Sequence, residues 1–64
     1  MMANFKKGQT YVCIKSNERW WTVGKEYPVV LDSDAGLVIK DDDGDMWYSS
    51  YISTFDDQFK LKEE

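Results

Sequence analysis

The fold of this chain is decided by residues 40–51, which read Lys-Asp-Asp-Asp-Gly-Asp-Met-Trp-Tyr-Ser-Ser-Tyr. An Asp- and Gly-containing turn between two strand-forming segments is a strong local signal for a β-hairpin. The acidic run is therefore predicted to be the turn between strands over residues 37–40 and 45–48. After the hairpin, the segment between Ser49 and Ser53 is too short for a stable α-helix, and a single 3₁₀ turn is expected there.

The segments on either side of the hairpin also favour extended structure. Residues 10–15 and 26–32 are rich in β-branched and aromatic side chains, which are common in strands. Pro28 has no amide hydrogen to donate, so it is expected at an edge, a bulge or a strand start. Residues 57–62 alternate polar and apolar side chains, which indicates a half-buried closing strand. About five short antiparallel strands predict a single all-β domain over residues 1–64, closed into a small barrel.

The first strand does not reveal which of its faces is buried. Successive side chains of a strand point to opposite faces, and every position from Tyr11 to Ile14 is apolar. Either Tyr11 and Cys13 or Val12 and Ile14 belong to the core, and the other pair is covered by a loop or left as a surface patch. Cys13 has no base nearby in the sequence and is expected to be a small buried hydrophobe.

The composition excludes several classes of protein. Hydrophobic residues make up 42% of the 64 residues and charged residues 31%, with a net charge of −4. This balance is typical of a folded domain with a polar surface and not of a disordered chain. There is no histidine, the most common general base and metal ligand. We expect no enzymatic activity, no cofactor and no metal site.

The cysteine content and the hydropathy of the sequence indicate the cellular compartment of the protein. Cys13 is the only cysteine, whereas small secreted domains usually carry several disulfide bridges. No segment resembles the apolar core of a signal peptide, and no apolar run approaches the roughly 18–20 residues of a membrane span. We therefore expect a cytoplasmic protein that does not contact a membrane.

The acidic run raises the question of calcium binding. Asp41, Asp43 and Asp45 have the spacing of carboxylate ligands in a calcium loop, but an EF-hand loop needs Gly at position 6 and Glu at position 12. Counting from Asp41, those positions hold Met46 and Ile52. The run is better interpreted as a hairpin turn whose charge forms a contact surface. Residues 31–64 carry a charge of −7 and the preceding half +3, so the halves either form two oppositely charged sides or interleave.

A pair of adjacent tryptophans is the second marked feature. Residues 20–23 are predicted to be a short extended segment, in which only one of Trp20 and Trp21 can face the core. The other is either covered by a loop or exposed as an interface anchor, a role for which Trp is favoured. An exposed indole could also stack on bases of single-stranded nucleic acid, with nearby cations supplied by Lys15, Arg19 and Lys25. The acidic second half disfavours that alternative, because phosphate attraction governs such binding.

Three short motifs resemble landmarks of eukaryotic Src-homology-3 (SH3) domains. They are Phe5-Lys6-Lys7-Gly8-Gln9, Trp20-Trp21 and Ser49-Ser50-Tyr51-Ile52. In those domains the corresponding segments form a turn before a strand, a Trp pair that opens a strand, and a 3₁₀ turn. The resemblance implies that Trp20 and Tyr51 line a groove for proline-rich peptides.

A wider pattern is similar to small proteins common in bacteriophages and prophages. It comprises Phe5-x-x-Gly8-x-x-Tyr11-x-Cys13-Ile14, Trp21-Thr22-Val23-Gly24-Lys25-x-Tyr27-x-Val29, Asp43-Gly44-Asp45 and Phe59-x-Leu61. This resemblance covers most of the chain. It implies an SH3-like barrel of generally unassigned function, and it carries no catalytic residue.

Together these observations predict a non-enzymatic binding module, a phage or prophage accessory protein in the bacterial cytoplasm. It is expected to be a monomer or weak homodimer that contacts a host or phage protein. The expected contact residues are Asp41, Asp43, Asp45, Trp20, Trp21, Trp47 and Tyr51. The alternatives are binding of single-stranded nucleic acid and binding of a proline-rich peptide. Residues 1–3 and 63–64 are expected to be flexible.

Overall fold

A computed structural model describes residues 4–62, and the expected flexibility of residues 1–3 and 63–64 lies outside this range. The described residues form six short strands, one 3₁₀ turn and one helical turn. In chain order these are β1 (Thr10–Cys13), β2 (Glu26–Pro28), β3 (Val30–Asp32), β4 (Gly36–Lys40), β5 (Met46–Trp47), the 3₁₀ turn (Ser49–Tyr51), α1 (Phe55–Gln58) and β6 (Phe59–Leu61).

The strands form two antiparallel sheets of three strands each, ordered β2-β1-β6 and β3-β4-β5. In the first sheet Tyr11 lies opposite Tyr27 on one side and Leu61 on the other. In the second, Val30 lies opposite Val38. The expected small all-β fold is confirmed, and so is the 3₁₀ turn. The strand count is six where about five were predicted, and no ladder within residues 4–62 closes the two sheets into a barrel.

The extra strand arises from a break at Val29 within the predicted second strand. Pro28 ends β2, an edge strand of the first sheet, which is a position where its missing amide hydrogen is tolerated. The amide of Val29 then donates to the carbonyl of Gln9 at 2.9 Å, and its side chain is buried. The chain turns there and continues as β3 in the second sheet.

The core is mainly aromatic, and its composition shows which face of β1 is buried. Tyr11 and Cys13 are buried, whereas Ile14 is 50% exposed and Val12 is intermediate. The Tyr11–Cys13 face is therefore the inner one, and Ile14 lies in a surface patch with Leu61. The buried cluster consists of Phe5, Tyr11, Cys13, Trp21, Tyr27, Val29, Ile39, Ile52, Phe55 and Phe59.

Two predicted extended segments are corrected by the structure. Residues 20–23 are not a strand but part of a loop with two turns, because the amide of Lys25 donates to the carbonyl of Thr22 at 3.1 Å. The closing strand is shorter than the predicted residues 57–62, since the helical turn α1 runs up to Gln58. Within β6 only Phe59 is buried, and Leu61 is 41% exposed. Among the described residues no helix is long and apolar enough to cross a membrane.

Candidate functional site

The acidic turn, residues 41–45, closes the predicted hairpin between β4 and β5. Lys40 lies opposite Met46, and the amide of Asp41 donates to the carbonyl of Asp45 at 2.9 Å. A second bond runs from the amide of Gly44 to the carbonyl of Asp41 at 3.0 Å, and Gly44 has a φ of +87°. A β-turn followed by a left-handed residue is a common three-residue hairpin loop, and it favours Gly at that last position. The hairpin prediction is confirmed.

Asp41 is buried beneath this turn, with only 8% of its surface exposed. One carboxylate oxygen accepts hydrogen bonds from the amides of Asp43 and Asp45, both at 2.9 Å. The other accepts a bond from the indole Nε1 of Trp47 at 2.8 Å. Asp41 was predicted as a contact residue, but its carboxylate is occupied inside the molecule, where it fixes the turn to the Trp47 ring.

Asp42 joins the acidic turn to the loop that carries both tryptophans. Its carboxylate accepts bonds from Thr22 Oγ1 and Lys25 Nζ, each at 2.6 Å, and from Tyr27 Oη at 2.9 Å. Its amide donates to the carbonyl of Trp20 at 3.0 Å. The hydrogen bonds to the carboxylate lower the pKa of Asp42 to about 2, and the bond from Lys25 has the largest effect. Lys25 belongs to the basic half of the chain and Asp42 to the acidic half, so opposite charges interleave here.

The lowered pKa of Asp42 predicts a specific dependence of stability on pH. Because the pKa falls from its ordinary 3.8 to about 2 on folding, the carboxylate contributes its full stabilisation above about pH 4 and loses it as the pH falls toward about 2. Asp42→Asn should therefore flatten the decline of the urea midpoint over that pH range. Part of the decline should persist, since the backbone amides of Ala35 and Asp34 also lower the pKa of Asp32.

Asp43→Asn is the matched control for this pH series. The Asp43 side chain is exposed, and it makes no hydrogen bond or ion pair among residues 4–62. Its substitution should leave the shape of the urea midpoint against pH unchanged. Equal flattening by Asp42→Asn and Asp43→Asn would contradict the assignment.

Both tryptophans of the adjacent pair are packed, in different ways. Trp21 is 3% exposed and meets Tyr27 and Phe59 edge-on, with ring centroids 5.0 and 4.9 Å apart. Trp20 is partly buried and stacks on Trp47, with the ring planes 15° apart and the centroids 6.3 Å apart. Trp21 is thus the core residue, and Trp20 lies between the core and the surface.

Trp20, Trp47 and Tyr51 line one cavity of about 120 Å³, which we call the aromatic cleft. Tyr51 is 64% exposed, and it follows β5 on the 3₁₀ turn. The bond between Trp47 and Asp41 connects the cleft directly to the acidic turn. The remaining lining residues are Glu18, Trp21, Ile52, Ser53, Thr54 and Gln58.

The predicted basic residues are less available than their number suggests. Lys25 pairs with Asp42 at 2.6 Å, and the hydrogen bond to that carboxylate is the main reason why the pKa of Lys25 is raised. Lys15 lines a separate polar depression together with Glu18 and Asp57. Arg19 is exposed. Of these three cations, Lys25 alone forms an ion pair among residues 4–62.

Two further observations concern the single cysteine and the potential metal ligands. Cys13 is buried, and burial raises the pKa of its thiol, which keeps it protonated and unreactive. Within residues 4–62 no group of three or more His, Cys, Asp or Glu side chains is arranged to hold a metal ion.

Several residues of the site were not predicted, among them Asp42 and Gln58. The partners of Asp42 lie 15 to 20 positions away in the chain, so no local pattern indicates its role. Gln58 lines the aromatic cleft from α1, and no motif around it in the sequence indicates that it belongs to a site.

No known protein family, curated protein or solved structure matches this chain. The function is therefore argued from the geometry of the cleft and the acidic turn.

Proposed function

We propose that this chain is a non-enzymatic binding module that holds a segment of a partner protein in the aromatic cleft and against the acidic turn. The observation that carries the proposal is that Trp20, Trp47 and Tyr51 line one open cavity. Trp and Tyr are the side chains most often found as anchors in protein interfaces. Such anchors act best when they are held in place before binding. The stacking of Trp20 on Trp47 and the bond from Trp47 to Asp41 hold these two anchors in place.

The charge around the cleft indicates the chemistry of the partner. Asp43 and Asp45 are exposed in the acidic turn, which the bond from Trp47 to Asp41 joins to the cleft, and Glu18 lines the cleft. The whole chain has a net charge of −4. Complementary charge speeds association and selects the partner, so the bound segment should combine an apolar or aromatic side chain with Lys or Arg.

A proline-rich segment is a second candidate for the occupant of the cleft. Trp20 and Tyr51 are the residues to which the SH3 resemblance assigns such a groove, and both line the cleft. Proline-rich segments bind grooves lined by aromatic side chains. Binding of single-stranded nucleic acid has less support, since the ion pair with Asp42 engages Lys25.

The proposal includes an SH3-like architecture for the two sheets. The order of elements supports it, because a turn over residues 6–9 precedes β1 and a 3₁₀ turn at Ser49–Tyr51 precedes the last strand. One feature departs from the resemblance: Trp20 and Trp21 lie in a loop before β2 and do not open a strand. Following the wider resemblance, we propose a phage or prophage accessory protein in the cytoplasm of a bacterial host, monomeric or weakly dimeric.

Affinity capture from bacterial lysate tests this function. The wild-type chain should retain a protein partner whether or not nuclease is added. Tyr51→Ala, and separately Asp43→Lys with Asp45→Lys, should each weaken retention at least about tenfold, as expected when an interface anchor or its complementary charge is lost.

The chain offers matched controls for the capture experiment. Leu31 has the same 64% exposure as Tyr51 but lies on β3, and Asp34 is an exposed carboxylate in the turn between β3 and β4. Leu31→Ala and Asp34→Lys should retain the partner. A partner that is lost on nuclease treatment would favour nucleic acid, and one that is retained equally by all variants would exclude the cleft and the acidic turn.

A further inference from the structure

Two buried polar atoms on side chains that line the aromatic cleft have no hydrogen-bond partner among residues 4–62. They are the indole Nε1 of Trp20, a donor, and the amide Oε1 of Gln58, an acceptor. Both side chains line the cleft. Buried polar groups in native proteins are nearly always paired, because an unpaired one loses its water without compensation. Two unpaired atoms of opposite type in one cleft indicate a ligand that satisfies both.

Both side chains are held in place by other bonds. The Trp20 ring stacks on Trp47, and the main-chain carbonyl of Trp20 accepts a hydrogen bond from the amide of Asp42. The Gln58 Nε2 donates to Thr54 Oγ1 at 2.5 Å, which uses one of its two N–H donors and leaves Oε1 as a free acceptor. The donor and the acceptor are therefore preorganised, and little conformational entropy is lost when they bind.

We propose that the cleft binds a secondary amide, namely a main-chain peptide group of the partner. The C=O of that group accepts a bond from Trp20 Nε1, and its N–H donates to Gln58 Oε1. The identification of the amide with a partner's main chain rests on the proposed protein-binding function. It also makes the site selective, since the residue that supplies the N–H cannot be proline, which has no amide hydrogen.

Other small groups fit the two atoms less well. A carboxylate would place negative charge against the Gln58 oxygen and near Glu18, which lines the same cleft. An ammonium group has no acceptor for the indole N–H. A tertiary amide, as in a proline-rich segment, satisfies Trp20 and leaves Gln58 unpaired. The cavity of about 120 Å³ is also several times larger than the space that one water needs.

Two small amides test the proposal by NMR on the full chain. N-methylacetamide has both a C=O and an N–H, whereas N,N-dimethylacetamide has only the C=O. Trp20→Phe identifies the indole resonance of Trp20. N-methylacetamide should shift that resonance and bind about fivefold more tightly than N,N-dimethylacetamide, the effect of one net hydrogen bond.

Variants of Gln58 assign the preference to its oxygen. Gln58→Met keeps the length of the side chain and removes the acceptor, so the two amides should bind equally. Gln58→Glu retains an acceptor oxygen and should retain the preference, which guards against a general loss of structure. Equal binding of the two amides to the wild-type chain, or no shift of the Trp20 resonance, would overturn the proposal.

Hydrogen exchange tests the alternative that the Trp20 and Gln58 side chains bind each other directly. In the free chain the Trp20 indole proton should exchange at the same rate with and without Gln58→Met. Protection that this substitution removes would show that the side chains bind each other, and would overturn the proposal. A captured protein partner together with equal amide binding would likewise reject the amide site while sustaining the protein-binding function. Amide selectivity without a captured partner would support the site and reject that function.

Discussion

Trp21→Ala is expected to unfold a large fraction of the molecules at room temperature. Trp21 is 3% exposed and packs edge-on against Tyr27 and Phe59, which belong to opposite edge strands of the first sheet. Removing a buried Trp side chain from a core costs about 3–5 kcal/mol, because the neighbours cannot close the cavity. The core of a domain of this size rarely supplies more than about 3–5 kcal/mol of stability, so this loss is as large as the whole.

Trp20→Ala is the matched control for this prediction. Trp20 is only partly buried, and its main aromatic contact is the stack on Trp47. Its loss should reduce the free energy of unfolding by about 1–2 kcal/mol and leave the chain folded. Amide NMR spectra distinguish the outcomes, with collapsed dispersion for Trp21→Ala and native dispersion for Trp20→Ala. A well-dispersed spectrum of Trp21→Ala would contradict the assignment of Trp21 to the core.

Asp41→Ala is expected to lower the free energy of unfolding by about 3 kcal/mol. The substitution removes the acceptor for the Trp47 indole and for the amides of Asp43 and Asp45. The Trp47 ring is packed against the core, and its N–H is left without its acceptor. A buried donor that loses its only partner carries the full desolvation penalty.

Asp43→Ala provides the comparison for Asp41→Ala within the same turn. Both substitutions remove one negative charge, but the Asp43 side chain is exposed. Its change in stability should stay within about 0.5 kcal/mol. Urea unfolding followed by circular dichroism measures both values without relying on Trp fluorescence, which the loss of the Trp47 bond would alter. Equal effects of the two substitutions would show that burial of Asp41 does not stabilise the turn.

The four aspartates of the acidic turn show how far local sequence can predict a site. By composition they are equivalent, and three of them were expected to meet a partner. In the structure Asp41 accepts bonds from within the turn and Asp42 accepts bonds from residues 15 to 20 positions away. Only Asp43 and Asp45 present free carboxylates at the surface. A carboxylate acquires its role from the donors around it, and most of those donors come from other parts of the chain.

The strands also differ in whether local sequence or contacts with distant residues determine them. The hairpin could be predicted because an Asp-Gly turn closes with its own backbone bonds. The break at Val29 could not, although Pro28 indicated a possible strand end, since the change of sheet depends on the Gln9 carbonyl, which lies far from Val29 in the sequence. Residues 20–23 have strand-forming composition but lie in a loop, because contacts with Asp42 and Tyr27 hold them there. Tertiary contacts commonly override local β-propensity.

The sequence by itself determined that this is a small all-β domain built on an acidic hairpin with a 3₁₀ turn after it. These features depend on glycine conformation and on strand-forming side chains near one another in the chain. Only the tertiary structure decided that Trp21 lies in the core and that Trp20 lies beside Tyr51. It alone placed the donor of Trp20 and the acceptor of Gln58 in one cleft. The physical reason is that burial and hydrogen bonding between distant residues depend on how the two sheets and the loop pack, which no local pattern encodes.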